Sequence, residues 1–245
     1  MEREAIRIEI SAFCSKMMLS QNSVQLCKEA TPKQEEFLYQ VFRSELEHRE
    51  YCRRARFLKK AAFPVYKTVE GYDFSSIKLP SSLSRDELLT GLFIREKRNI
   101  VMYGPVGTGK THLATAIGVN ACENGIETRF FTASEIVLKL SEFKRCGTLE
   151  KFIHELLKAE LLIIDEWGYV PIDKEGAQLL FRVISDSYET RSLIITTNLE
   201  FSKWGSVFTD DQMAAAMIDR LAHHGHLILF EGESYRMKHA LMKQI

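Results

Sequence analysis

The segment Gly104-Pro105-Val106-Gly107-Thr108-Gly109-Lys110-Thr111 constrains this chain more than any other. It stands between an apolar run, Ile100 to Tyr103, and a helical pattern that opens His112-Leu-Ala-Thr-Ala-Ile117. The spacing G-x-x-x-x-G-K-[ST], directly after a strand and directly before a helix, is that of a phosphate-binding loop. Glycines let main-chain N–H groups wrap an anion, and the start of the helix adds a favourable dipole. On this reading Gly104 through His112 contact a nucleotide, Lys110 reaches its β- and γ-phosphates, and the Thr111 hydroxyl ligates Mg²⁺.

Two further apolar runs end in polar groups that suit the same chemistry. Leu161-Leu-Ile-Ile-Asp165-Glu166 reads as a buried parallel strand delivering carboxylates to the carboxyl edge of a sheet. Asp165 would hold Mg²⁺ through its water shell, and Glu166 is placed to orient or deprotonate the water that attacks a γ-phosphate. Leu193-Ile-Ile-Thr196-Thr197-Asn198 ends in an amide able to hydrogen-bond that water or the phosphate. Strands are expected at 100–103, 128–132, 161–164, 193–197 and 227–230, with helices between most of them. That alternation predicts an αβα sandwich around a parallel sheet, covering residues 67–245.

Residues 1–66 read differently, as a small all-α domain. Ile6, Ile10, Phe13 and Met17 share one helical face, and Thr31-Pro32-Lys33-Gln34 carries a cap, a first-turn proline and a capping-box glutamine. From Arg49 to Lys60 the second helix carries Arg49, Arg53, Arg54, Arg56, Lys59 and Lys60 against the single acid Glu50, a surface suited to DNA phosphates. Overall charge gives no such argument, because 33 Lys and Arg balance 33 Asp and Glu. Pro64, Gly71, Pro80 and several serines mark an irregular connection, with the boundary near residue 67.

Other features bound the setting. Five widely spread cysteines without a C-x-x-C pair fit reduced thiols in a cytoplasm, and no run approaches the ~20 apolar residues of a membrane span. His223, His224 and His226 form a tight group, which cations at a helix end explain without a metal, so Mg²⁺ is the one metal expected. Trp167 and Tyr169 read as packing residues rather than as contacts to a partner or DNA.

The loop, the strand ending in Asp165-Glu166, Thr196-Thr197-Asn198, Asp219-Arg220-Leu221 and the terminal Gly232-Glu233-Ser234-Tyr235-Arg236 occur in an order that resembles the IstB-like transposition helper ATPases. Less closely, it resembles the DnaC-like helicase loaders; both are AAA+ proteins. The resemblance extends over essentially the whole chain, and the GESYR ending is its most discriminating piece. It implies that Arg220 is an arginine finger donated to the ATP of a neighbouring subunit, and that Arg236 touches the phosphates of its own subunit. About a dozen residues follow Gly232, so a C-terminal helical lid is expected to be reduced or absent. The implied function is an Mg²⁺-dependent ATPase that oligomerises on double-stranded DNA, selects a target and recruits a cognate transposase, with hydrolysis for disassembly. A helicase loader acting on a protein ring and single-stranded DNA is the alternative. A small-molecule kinase would need an acceptor pocket and an Arg-rich lid, neither of which the sequence displays.

Overall fold

The computed structural model describes residues 3–169, 171–208 and 210–238. Three helices come first: α1 (Arg3–Lys16), α2 (Gln21–Lys28) and α3 (Pro32–Ala61). The chain divides into two compact units, 1–56 and 57–245. The division falls inside α3, and the connection expected near residue 67 lies within the second unit.

In the first unit, Ile10 and Met17 of the expected apolar face are buried, and Phe13 packs its ring against Tyr39 at 5.7 Å. The capping box at the start of α3 is half formed. Gln34 Oε1 accepts from the Thr31 backbone N–H at 2.8 Å, but the Thr31 hydroxyl donates to the same oxygen instead of capping a backbone N–H. The buried polar group Glu35 accepts from Arg3 Nε at 2.8 Å and Arg7 Nε at 2.6 Å, and these guanidinium groups hold its carboxyl below the usual carboxylate range. A carboxylate buried on one helix therefore ties it to the basic face of another.

The second unit continues with β1 (Ile77–Lys78), α4 (Arg85–Thr90), α5 (Leu92–Arg95), β2 (Asn99–Tyr103), α6 (Lys110–Glu123), β3 (Thr128–Thr132), α7 (Ala133–Arg145) and α8 (Leu149–Leu156). Then follow β4 (Leu161–Trp167), α9 (Lys174–Ser187), β5 (Ser192–Thr197), α10 (Trp204–Phe208), α11 (Asp211–His223), β6 (Gly225–Phe230) and α12 (Tyr235–Lys238). The sheet order is β1-β6-β2-β5-β4-β3, parallel throughout except where β1 pairs antiparallel with β6. All five expected strands are present. β1, with two residues, is too short to leave a periodic signal.

Alternation along the central strands builds two cores. In β4, Leu162 and Ile164 face one side with α7, α8, α9 and α11, while Leu161 and Ile163 face the other with α6. β5 repeats this with Leu193 and Ile195 against Ile194. Helix α6 is buried at ten positions and carries no polar stripe, as an interior helix requires. Trp167 is fully buried against Trp204 and Phe208, which agrees with the packing reading, whereas Tyr169 is about half exposed. Among the described residues no helix is long and apolar enough to cross a membrane.

β2 lies between β5 and β6, whereas the next strand in sequence, β3, lies at the far edge. The chain thus departs in opposite directions on either side of β2. In an open parallel sheet, ligands bind beyond the strand carboxyl ends at such a switch point. The glycine-rich loop begins there.

Candidate nucleotide-binding site

The loop between β2 and α6 is closely fitted to its surroundings. A Cβ at Gly104 would collide with the Phe230 carbonyl at the end of β6. One at Gly107, where φ is +82°, would collide with Ser234 Oγ. Small residues here let the loop be gripped from both sides. The Tyr235 N–H donates to the Gly107 carbonyl at 3.0 Å, so the GESYR segment docks directly on the loop. From the linker, the Tyr72 hydroxyl donates to the Gly109 carbonyl at 3.1 Å, and its ring meets His112 edge-on at 5.1 Å. Burial raises the Tyr72 phenol, with Asp73 adding to the effect, so it stays a neutral donor.

Lys110 opens α6 with its side chain buried, donating to the Gly104 carbonyl at 2.8 Å and the Pro105 carbonyl at 2.7 Å. Burial pushes its ammonium down to about 8; nearby Asp165 opposes the shift, and Arg236 adds to it. Arg236 therefore stands within electrostatic reach of Lys110, carried by the short helix α12 that follows Ser234.

Asp165 is buried, and two hydroxyls converge on its Oδ1: Thr111 donates at 2.9 Å, and Thr196 on β5 donates to the same oxygen. The pairing of β4 with β5 shifts register between Ile164 and Trp167, and Glu166 sits at this irregularity with φ +58°. A non-glycine residue in left-handed backbone is strained by roughly 1–3 kcal/mol, and such strain persists where the surroundings impose it. Here the Glu166 N–H donates to Thr196 Oγ1 at 3.2 Å, and the carboxylate is turned out to solvent while its neighbours stay buried. An irregularity that re-aims one side chain beside a site is a recurrent device. Asn198 follows β5, and its buried Oδ1 has no hydrogen-bond partner among the described residues. An unpaired buried acceptor costs about 1–3 kcal/mol unless something outside the protein satisfies it.

These groups suit a magnesium nucleotide. Thr111 and Asp165 supply hard oxygen donors to a cation, Lys110 and Arg236 supply positive charge, and Asn198 supplies an unused acceptor. Thr196, Tyr72 and Ser234 contribute to the site but were not among the residues singled out from sequence. A hydroxyl inside the buried strand Ser192–Thr197 was the available signal for Thr196; Ser234 lies within the GESYR segment and Tyr72 within the linker, but no spacing relates either of them to the loop.

Arg220 stands elsewhere. It lies in the last turn of α11, where Nη1 donates to the Ala216 carbonyl at 2.9 Å and the guanidinium lies over the Phe181 ring at 5.0 Å. α11 leads into β6, so its C-terminal end is at the edge where the parallel strands begin. The loop lies where they end, roughly 20 Å away for six residues of about 3.3 Å each.

The six basic residues of α3 divide by environment. Lys60 bonds to Glu127 Oε1 at 3.0 Å, partly buried, and so fastens the helix end to the segment before β3. Arg49 pairs with Glu45, and Arg54 with Glu50, within the helix and in the open. Exposed i,i+4 pairs contribute about 0.3–0.5 kcal/mol, too little to withhold an arginine from a phosphate. Arg53 and Lys59 are exposed and make no ion pair among the described residues, and Arg56 is also exposed.

The sheet order, the loop at its switch point and the acid-ended strand β4, set one strand away from β2 beyond β5, define a P-loop protein of the AAA+ class. The DnaC helicase loader superimposes with a TM-score of 0.54 at 20% identity, covering 72% of this chain and 99% of that one. DnaA from Aquifex aeolicus, bound to AMPPCP, superimposes at 0.53 and 22% identity, covering 72% and 54%. Both likenesses concern the fold. The family model for the IstB-like ATP binding protein matches residues 15–243, and the chain belongs to that family. A protein described as the ATP-binding protein of insertion sequence IS5376, from Geobacillus stearothermophilus, is 37% identical over 85% of this chain and 83% of its own length. The corresponding protein of IS21, from Pseudomonas aeruginosa, is 36% identical over 90% and 84%.

Proposed function

We propose that this chain is an ATP-dependent, DNA-binding helper of transposition. With ATP bound it oligomerises on duplex DNA, marks the target and recruits its cognate transposase, and hydrolysis dissolves the assembly. The observation that carries this reading is the separation of Arg220 from the loop, at opposite edges of one sheet. An arginine finger so placed serves only the ATP of a neighbour, which makes turnover depend on assembly. The insertion-sequence relatives supply the setting.

Within the site, Lys110 neutralises charge on the β- and γ-phosphates, assisted by Arg236. Thr111 and Asp165 would hold Mg²⁺, which when bound offsets the charge developing on the transferred phosphoryl group. Glu166 orients the attacking water and accepts its proton, and Asn198 Oδ1 accepts a hydrogen bond from that water. Tyr72 and His112 line the start of α6 beside the nucleotide. The exposed arginines of α3, with Lys59, make sequence-independent phosphate contacts.

The pH dependence of nucleotide binding follows from Lys110. Without nucleotide its ammonium loses its proton near 8 instead of 10.5, whereas bound phosphate favours the charged form, so binding must restore that proton and affinity falls as pH rises above about 8. Titration with a fluorescent ATP analogue on both sides of that pH should show affinity falling with alkalinity. Lys110→Ala should bind weakly throughout, with a flat profile.

Binding to labelled duplex and single-stranded DNA tests the function as a whole, measured without nucleotide, with ADP, and with a slowly hydrolysed ATP analogue at two salt concentrations. Cooperative, salt-sensitive duplex binding confined to the analogue is expected. Arg53→Ala should weaken it for every duplex sequence and reduce the log–log salt slope by about 1. Preference for single strands would favour the helicase-loader alternative, and absence of DNA binding in every state would contradict both.

A further inference from the structure

The three histidines grouped in sequence are separated in the fold. His226 is buried in β6, 3.0 Å from Ser82 Oγ, whereas His223 and His224 meet the turn between α9 and β5. There Tyr188 Oη and His223 Nδ1 share a hydrogen bond of 2.7 Å, and His224 Nε2 lies 2.8 Å from Glu189 Oε1. The two imidazole planes are nearly perpendicular, at 87°, with centroids 4.7 Å apart. One ligand atom from each of Glu189, His223 and His224 lies within 4.8 Å of the others.

We propose that Glu189, His223 and His224 bind a divalent transition-metal ion of the zinc class. Metal–ligand bonds near 2.1 Å in a tetrahedral site place ligand atoms about 3.4 Å apart. Glu189 and His223 are exposed and His224 half-buried, which leaves their side chains room to rotate toward a shared ion. Two imidazoles and one carboxylate suit Zn²⁺, Co²⁺ or Ni²⁺ and are a poor set for Mg²⁺ or Ca²⁺, which prefer oxygen. Tyr188 supplies the outer partner that fixes the orientation of a ligating imidazole. From sequence alone the histidine group reads as cations at a helix end, with no pattern of further ligands. The fold adds Glu189, from a turn that lies 35 residues before His224. A bound ion would join that turn to the last turn of α11, which carries Arg220, and to His224 just after it.

Full-length protein stripped with chelator and kept in saturating Mg²⁺ is titrated with Co²⁺ and, separately, with Zn²⁺ by calorimetry. Expected are one equivalent per chain, visible d–d bands of nitrogen and oxygen coordination, and loss of affinity by at least about tenfold in His224→Ala and in Glu189→Gln. Glu189→Gln keeps a polar side chain in the turn, so an unchanged melting temperature with lost Co²⁺ binding separates ligation from folding. Thiolate charge-transfer absorption would assign the ion to cysteines and overturn the proposal. Binding no tighter than in the His223→Ala/His224→Ala double variant would overturn it equally.

Discussion

Glu166→Gln is expected to slow ATP hydrolysis by about 10²–10⁴-fold, the usual contribution of a positioned general base, with nucleotide affinity unchanged. Glutamine has the shape of glutamate and keeps the backbone N–H that donates to Thr196, so the irregularity in β4 is preserved. Only the capacity to accept a proton is lost. Lys110, Thr111 and Asp165 do not depend on Glu166 for their contacts, which is why binding survives. Phosphate release under single-turnover conditions, measured beside binding of a fluorescent analogue, separates the two. An equal loss of both would mean that Glu166 supports the loop instead of acting on water. On duplex DNA the same variant should hold the ATP-bound assembly in place, because disassembly is assigned to hydrolysis.

Much of this arrangement was legible in the sequence because it rests on local rules. Strand, glycine loop and helix follow one another within Asn99–Glu123, and an apolar run ending in Asp165-Glu166 announces a buried strand delivering acids to a sheet edge. What escaped depends on tertiary approach. Thr196 bridges Asp165 and the Glu166 backbone across two strands, and no spacing rule relates residues 31 apart. Ser234 and Tyr72 reach the loop from opposite ends of the second unit. The basic stretch of α3 was read by counting charges, whereas Lys60 is engaged by Glu127, an acid from another element. The burial of Glu35 left no local trace, because its arginine partners lie 28 and 32 residues earlier.

Arg220→Ala is expected to have the larger effect, a loss of about 10³–10⁵-fold in turnover, the range that an arginine finger supplies. Among the described residues its side chain meets a helix carbonyl and the face of Phe181, away from the loop, so truncation leaves Lys110, Asp165 and Asn198 untouched. ATP affinity in the isolated subunit should therefore match that of the unaltered protein. Steady-state hydrolysis on duplex DNA, compared with analogue binding at low protein concentration, measures both quantities. A structural role for Arg220 would instead lower the melting temperature and weaken binding together.

The claim that two subunits share each ATP is tested most directly by mixing the Arg220→Ala and Glu166→Gln proteins, each nearly inactive alone, on duplex DNA. In a head-to-tail assembly formed at random from equal amounts, about a quarter of the interfaces place an intact Glu166 beside an intact Arg220 from the neighbour. Hydrolysis should then rise far above that of either variant alone; a mixture no more active than its separate components would contradict a finger donated between subunits.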